Sequence, residues 1–187
     1  TLLANAKEAG QTIMQKAYNA FEGFYTSATD QLNFLLEAET ARNEQLKLSG
    51  QLLSGVNEQL ATYDQAYKTE LARYTQQNPN ASNSAITTYM GNWEKSWRSS
   101  AAPLSNDNLA QLGVAPLDPT QYPPGSKAYY DKLKTELEGA QTSLQQEDKT
   151  SMLLLQQALS LQKQALDMMT QFIALAKDMA MGVVQNL

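Results

Sequence analysis

Proline is confined to the middle of this chain. All six prolines lie between Pro79 and Pro124, so residues 1–77 and 127–187 contain none. Proline removes a backbone donor and clashes with the preceding turn of a helix. The two outer segments can therefore form long helices, whereas the middle cannot. This distribution predicts an all-α fold, a long antiparallel helical hairpin or coiled-coil bundle with a small irregular proline-rich insert.

Three segments follow from this distribution, and we expect them to form one structural domain. Residues 1–77 form an N-terminal helical region, with a helix from about Leu3 to Tyr74. Residues 78–126 form an insert with both tryptophans, a short helix from Ala85 to Trp97, and an aromatic cluster expected to be a core of its own. Residues 127–187 form one long helix. Because the insert starts and ends near the same end of the bundle, the outer helices should run antiparallel.

Local signals mark the ends of these helices. Ser82 or Ser84 is expected to cap the short helix, and Ser126 the last one, because serine is favoured at helix N-caps. Each glycine inside the first helix costs roughly 1 kcal/mol relative to alanine. These glycines are Gly10, Gly23, Gly50 and Gly55. They leave open whether the first helix is continuous or broken.

Apolar residues recur at alternating steps of three and four in both outer segments, which is typical of a coiled-coil seam. The intrachain seam should join the second half of the first helix to the start of the last one. Its predicted members are Leu46, Leu53, Val56, Leu60, Tyr63, Tyr67, Leu133, Leu137 and Leu144. Glu147 falls in the same register, where a polar residue often fixes helix alignment. A local stutter in the heptad pattern is the alternative.

Beyond Ser151 the last helix carries apolar residues on two faces. One antiparallel partner covers only one face, so the other should contact further subunits. Charge is sparse here compared with an average helix, and methionine, which suits adaptable surfaces, is frequent. The charged residues after Thr150 are Lys163, Asp167, Lys177 and Asp178. The predicted self-assembly interface comprises Leu154, Leu155, Ala158, Leu161, Ala165, Met168, Met169, Phe172, Ile173, Leu175, Met179 and Val183.

Composition excludes several classes of function. The chain has 187 residues, a net charge of −5, no Cys and no His. An acidic chain lacks the basic footprint of a nucleic-acid-binding protein. Without Cys or His there is no thiol nucleophile, no disulfide and no zinc site of the usual kind. Phosphate-binding and nucleophile-elbow motifs are also missing. We therefore predict a non-enzymatic protein with no catalytic residues, cofactor or metal.

A terminal coil of low charge, Leu137 to Val184, is paired with Leu32 to Tyr67 and separated from it by the insert. This layout resembles the needle-tip and filament proteins of bacterial type III secretion systems, such as the EspA-type filament subunits and the IpaD-type tip proteins. The resemblance implies a secreted virulence protein at the bacterial cell surface. Such a protein forms a homo-oligomer through its C-terminal helix and contacts other secretion-apparatus proteins. Export in an unfolded state agrees with the missing Cys and His.

Two alternatives stay open. The layout is also similar to minor pilins of type IV secretion systems, which implies a periplasmic or surface pilin or adhesin. A start at Thr1 fits a chain that has lost a signal peptide or has been trimmed. The other alternative is a membrane-active translocator or toxin that applies Gln164 to Val184 to a host membrane as an interfacial helix. That window carries Asp167, Lys177 and Asp178 and is too polar to span a bilayer.

Overall fold

The chain folds into four helices in the computed structural model, which describes residues 1–101 and 104–185. They are α1 (Leu2–Gln77), α2 (Asn83–Arg98), α3 (Asn106–Gln111) and α4 (Lys127–Gln185). Of the described residues, 86% are helical and none lies in a strand. Helices α1 and α4 pack against each other, so the predicted all-α fold with a long helical hairpin is confirmed. The predicted end of the last helix, Leu187, lies outside the described residues.

Helix α1 is continuous. A Cβ atom built on any of its four glycines meets nothing within 4 Å, so these positions neither break the helix nor allow a close helix contact. Packing against α4 offsets their low helix propensity, as tertiary contacts do for most protein helices. The helix ends where the sequence Asn78-Pro79 begins, and the Asn78 side-chain amide donates to the Tyr74 carbonyl oxygen at 3.0 Å.

Serine hydroxyls cap the start of α2 and of α4, as predicted. The Ser82 Oγ accepts a hydrogen bond from the Ala85 N–H at 3.2 Å, and the Ser126 Oγ accepts one from the Tyr129 N–H at 3.1 Å. Before Ser126, Gly125 has a φ of +82°. A Cβ there would lie 2.8 Å from that of Ala101 and 3.2 Å from the Arg98 backbone. The chain therefore enters α4 through a turn that requires glycine.

Internal contacts divide the chain into two compact units. We call Arg42–Glu147 the four-helix unit, because it contains α2, α3 and part of each long helix. We call Thr1–Ala41 with Asp148–Leu187 the two-helix unit, because it contains only α1 and α4. These boundaries differ from the three predicted segments. Proline positions mark where helices end, whereas helix-to-helix contacts decide which residues form a unit.

An apolar core fills the four-helix unit. Val56 of α1 and Leu133 and Leu137 of α4 are fully buried in it. Full burial of each such side chain contributes about 1.5–3 kcal/mol, so this core is the main source of the unit's stability. The other predicted seam leucines lie in this core or pack against it. They are Leu46, Leu53, Leu60 and Leu144.

The aromatic residues of the insert do not form a separate core. The Trp93 ring centroid lies 5.6 Å from that of Tyr63 and 5.7 Å from that of Tyr67. Trp97 also packs edge-on against Tyr63, whose hydroxyl donates to the Glu94 carboxylate. The prediction of a core within the insert is wrong, because two tyrosines one turn apart on α1 supply the other half of the cluster. This cluster attaches α2 to α1.

Candidate assembly surface

Helices α1 and α4 run antiparallel in the two-helix unit. The ring centroids of Phe21 and Phe172 lie 5.3 Å apart. The Gln162 Nε2 donates a hydrogen bond to the Thr29 Oγ1 at 3.1 Å. Residue numbers thus rise along α1 as they fall along α4. These two contacts fix the register of the two helices.

Small and polar residues occupy much of the seam in this unit. The buried residues of α4 are Ser151, Leu155, Ala158 and Ala165. The associated buried cluster gains only Leu32 from α1. Little apolar area is therefore buried here compared with the leucine-rich core of the four-helix unit.

Large apolar side chains lie on both sides of this seam instead. In heptad notation the α1-facing residues of α4 hold positions a and d, so e follows each d and g precedes each a. The g flank of α4 comprises Leu154, Leu161, Met168 and Leu175. The e flank comprises Leu159, Leu166 and Ile173. These seven side chains are 38–58% exposed. In two-stranded coiled coils the e and g positions often carry Glu and Lys, so an apolar pair of flanks indicates additional partners.

Exposed apolar residues are concentrated in this unit. In the described parts of the chain, every exposed large hydrophobic residue belongs to the two-helix unit. Besides the two flanks, these are Met152, Leu153, Met179, Met181 and Val183 of α4, and Leu2, Leu3, Ile13, Phe24, Phe34 and Leu36 of α1. The four-helix unit covers its apolar residues with α2, α3 and the connecting loops, whereas two helices alone leave theirs in water.

Five residues of the predicted self-assembly interface are covered within the chain itself. Leu155, Ala158 and Ala165 are buried in the intrachain seam, and Met169 and Phe172 are half-buried along the same line. The remaining predicted interface residues are exposed, namely Leu154, Leu161, Met168, Ile173, Leu175, Met179 and Val183.

Glu147 does not lie in the seam, which corrects its assignment as a register residue. Its side chain is 62% exposed, and a carboxylate oxygen lies 3.9 Å from the Arg42 Nε. The α1-facing residues advance by four twice in succession, from Ala140 to Leu144 and on to Asp148. Two consecutive steps of four form a stutter, the alternative given above.

Two buried polar atoms follow this stutter. The Asp148 Oδ1 and the Ser151 Oγ are buried, and neither has a hydrogen-bond partner in the described part of the chain. A buried polar group without a partner costs about 1–3 kcal/mol. The apolar pattern of the sequence gave no sign that Asp148 turns inward.

Several ionisable groups with shifted pKa values lie where α2 contacts α1. Burial, followed by the hydrogen bond to Glu94, raises the pKa of Tyr63. Hydrogen bonds from Arg73 and Tyr89 lower the pKa of Glu70 to about 2. These groups attach the insert to α1.

Two other kinds of site, a metal centre and a membrane-spanning helix, are absent from the described residues. No cluster of three or more His, Cys, Asp or Glu could hold a metal ion in that part of the chain. No helix described there has an apolar stretch sufficient to cross a bilayer. The flanks of α4 are therefore the strongest candidate for a functional surface.

Comparisons with known proteins leave the family open. No family model, no curated protein and no solved structure matches this chain.

Proposed function

We propose that this chain is a non-enzymatic structural protein that assembles with copies of itself through the two-helix unit. The observation behind the proposal is the arrangement of α4, which has small residues facing α1 and large apolar residues on both flanks. A hairpin without further partners would bury its large apolar residues between its own two helices. Their exposure is explained if neighbouring copies cover them.

The energy gained from such a contact is comparable with the cost of association. Full burial of one large apolar side chain contributes about 1.5–3 kcal/mol, so covering seven half-exposed ones contributes roughly 5–10 kcal/mol. Association costs about 4–15 kcal/mol in lost translational and rotational freedom. The two terms are similar in size, so assembly should depend strongly on concentration and on further contacts.

The proposed setting is the tip or the filament of a bacterial type III secretion apparatus, outside the cell. The resemblance in layout supports this setting, as does a sparsely charged terminal helix that carries the apolar flanks. The insert would then be the variable part, held on α1 by its aromatic cluster. Other proteins of the apparatus would be the further partners.

Self-association of the purified chain tests the proposal directly. Sedimentation velocity and negative-stain microscopy over a range of concentrations should show oligomers that grow with concentration. Leu161→Asp, on the g flank, should prevent their growth. Leu153→Asp is the matched control, because Leu153 is an equally apolar exposed leucine at heptad position f, opposite the seam.

The results also separate the alternatives. A chain that stays monomeric but co-sediments with liposomes, and loses that binding in Leu161→Asp, would favour the membrane-active translocator or toxin. Recovery of the native protein from the periplasm of the producing bacterium would favour the minor pilin. Normal oligomers of Leu161→Asp would place the self-assembly contact elsewhere.

A further inference from the structure

We infer that one contact, repeated from copy to copy, pairs the g flank of one α4 with the e flank of the next. The inference rests on the proposed self-assembly and specifies its geometry. Positions g and e lie on opposite sides of the seam, roughly 140–150° apart around the helix axis. A single neighbouring helix cannot contact both flanks, so each copy needs two neighbours.

Coverage of both flanks favours a head-to-tail contact over a two-fold one. A two-fold contact uses the same patch on both copies. A dimer formed through the g flank would leave Leu159, Leu166 and Ile173 in water. A dimer formed through the e flank would leave the four g residues there. Pairing the g flank of one copy with the e flank of the next buries the apolar side chains of both flanks through one kind of contact. In an open assembly, only one flank of each end copy then stays uncovered.

The surroundings of the two flanks also differ. At Ile173 the e flank borders a groove of about 740 Å³ between α1 and α4, which Gln15 and Tyr18 of α1 also line. The g flank carries three leucines and Met168, whose side chain adapts well to irregular space. Such a side chain is suited to fill the groove beside Ile173 of a neighbouring copy.

Charge favours a second copy as the occupant of these flanks. On the exposed side of this segment, Lys163 lies one turn from Asp167, and Lys177 is followed directly by Asp178. The segment thus carries two cations and two anions, and two such helices side by side meet little net repulsion. Helices that lie on membrane surfaces usually carry a polar face rich in Lys and Arg, which this segment lacks.

Two variants, each altered on one flank, test the pairing. Leu161→Asp damages the g flank and Leu166→Asp damages the e flank. Each variant alone should stay monomeric, with the concentration needed for association raised by roughly tenfold or more. An equimolar mixture should form a discrete heterodimer, because Leu166→Asp retains an intact g flank and Leu161→Asp retains an intact e flank. Circular dichroism should show that both variants keep the helix content of the parent chain.

Cysteine crosslinking supplies a second readout that introduces no charge. The chain has no cysteine, so Met168→Cys places a single thiol on the g flank and Leu166→Cys one on the e flank. Under mild oxidation, a mixture of the two should give disulfide-linked heterodimers in large excess over either homodimer. Leu153→Cys, at position f, is the control that should crosslink with neither.

Each outcome decides the inference. Homodimers formed by either Asp variant alone would show a two-fold contact and overturn it. A wild-type chain that assembles while the mixed variants form no heterodimer would overturn the pairing but leave the proposed function standing. A wild-type chain that is monomeric at every concentration, with or without binding to vesicles of phosphatidylcholine and phosphatidylglycerol, would overturn both.

Discussion

Removing the hydroxyl of Ser151 should stabilise the two-helix unit. The Ser151 Oγ is buried and has no hydrogen-bond partner among the described residues, so Ser151→Ala relieves a desolvation penalty of about 1–3 kcal/mol. Alanine also has a higher helix propensity than serine, by about 0.5 kcal/mol. Together these effects should increase the free energy of unfolding by about 2 kcal/mol.

Ser49 provides the matched control on α1. It is fully buried as well, but its Oγ donates to the Leu46 carbonyl oxygen at 2.8 Å. Ser49→Ala removes a hydrogen bond worth about 0.5–1.5 kcal/mol and gains about 0.5 kcal/mol in helix propensity. Its effect on stability should therefore be neutral or slightly negative.

Hydrogen exchange measured by mass spectrometry resolves the two effects, because it reports stability locally. Peptides from residues 1–41 and 148–185 should exchange more slowly in Ser151→Ala than in the parent chain. Those from residues 42–147 should not slow in Ser49→Ala. Faster exchange of the two-helix unit in Ser151→Ala would refute the reasoning, because it would mean that the hydroxyl contributes a favourable interaction.

Four further predictions concern the four-helix unit. Leu133→Ala should lower its stability by about 2–5 kcal/mol in urea unfolding, since it leaves a cavity in a closed core; a loss below 1 kcal/mol would contradict this. Gly125→Ala should cost about 1–3 kcal/mol through its positive φ and its clash, which thermal unfolding would show and an unchanged midpoint would disprove. Because its pKa is lowered in the folded chain, the Glu70 carboxylate contributes to the free energy of unfolding above the unfolded-state pKa near 4.5. That contribution fades as the pH falls towards 2. Because its pKa is raised in the folded chain, the neutral Tyr63 hydroxyl contributes to the free energy of unfolding below pH 10. That contribution is lost as the pH rises through the raised pKa. Acid and alkaline unfolding curves of Glu70→Gln and Tyr63→Phe should lack these respective dependences.

Much of the fold could be predicted because local rules determine it. Proline positions separate the long helices from the insert, and a serine hydroxyl caps both α2 and α4. The seam from Leu46 to Leu60 is a regular leucine-rich heptad pattern. At these sites, propensity, capping and hydrophobic spacing all favour the same structure.

The register after Leu144 could not be predicted from hydrophobic spacing. Met152 to Leu155 are four consecutive large apolar residues, and spacing alone does not show which of them faces α1. The structure turns Ser151 and Leu155 inward, because a stutter after Ala140 shifts the seam. The aromatic cluster of the insert was misassigned for a different reason. Tyr63 and Trp93 are thirty residues apart, and only the fold brings them together.

The small residues of the two-helix seam have a consequence for how this chain can vary among relatives. Ala165 and Ala158 are almost completely buried, and a larger side chain in such a place forces the backbones apart at a cost of about 1–3 kcal/mol. On the flanks, Leu, Met and Ile can replace one another with little effect. Descendants of a common ancestor should therefore retain alanine at these two seam positions while their flanks drift among large apolar residues. Aligned sequences of such relatives should be most strongly conserved at the small residues of the seam. On the surface where copies meet, the large size of the side chains should be conserved but the residue type should not.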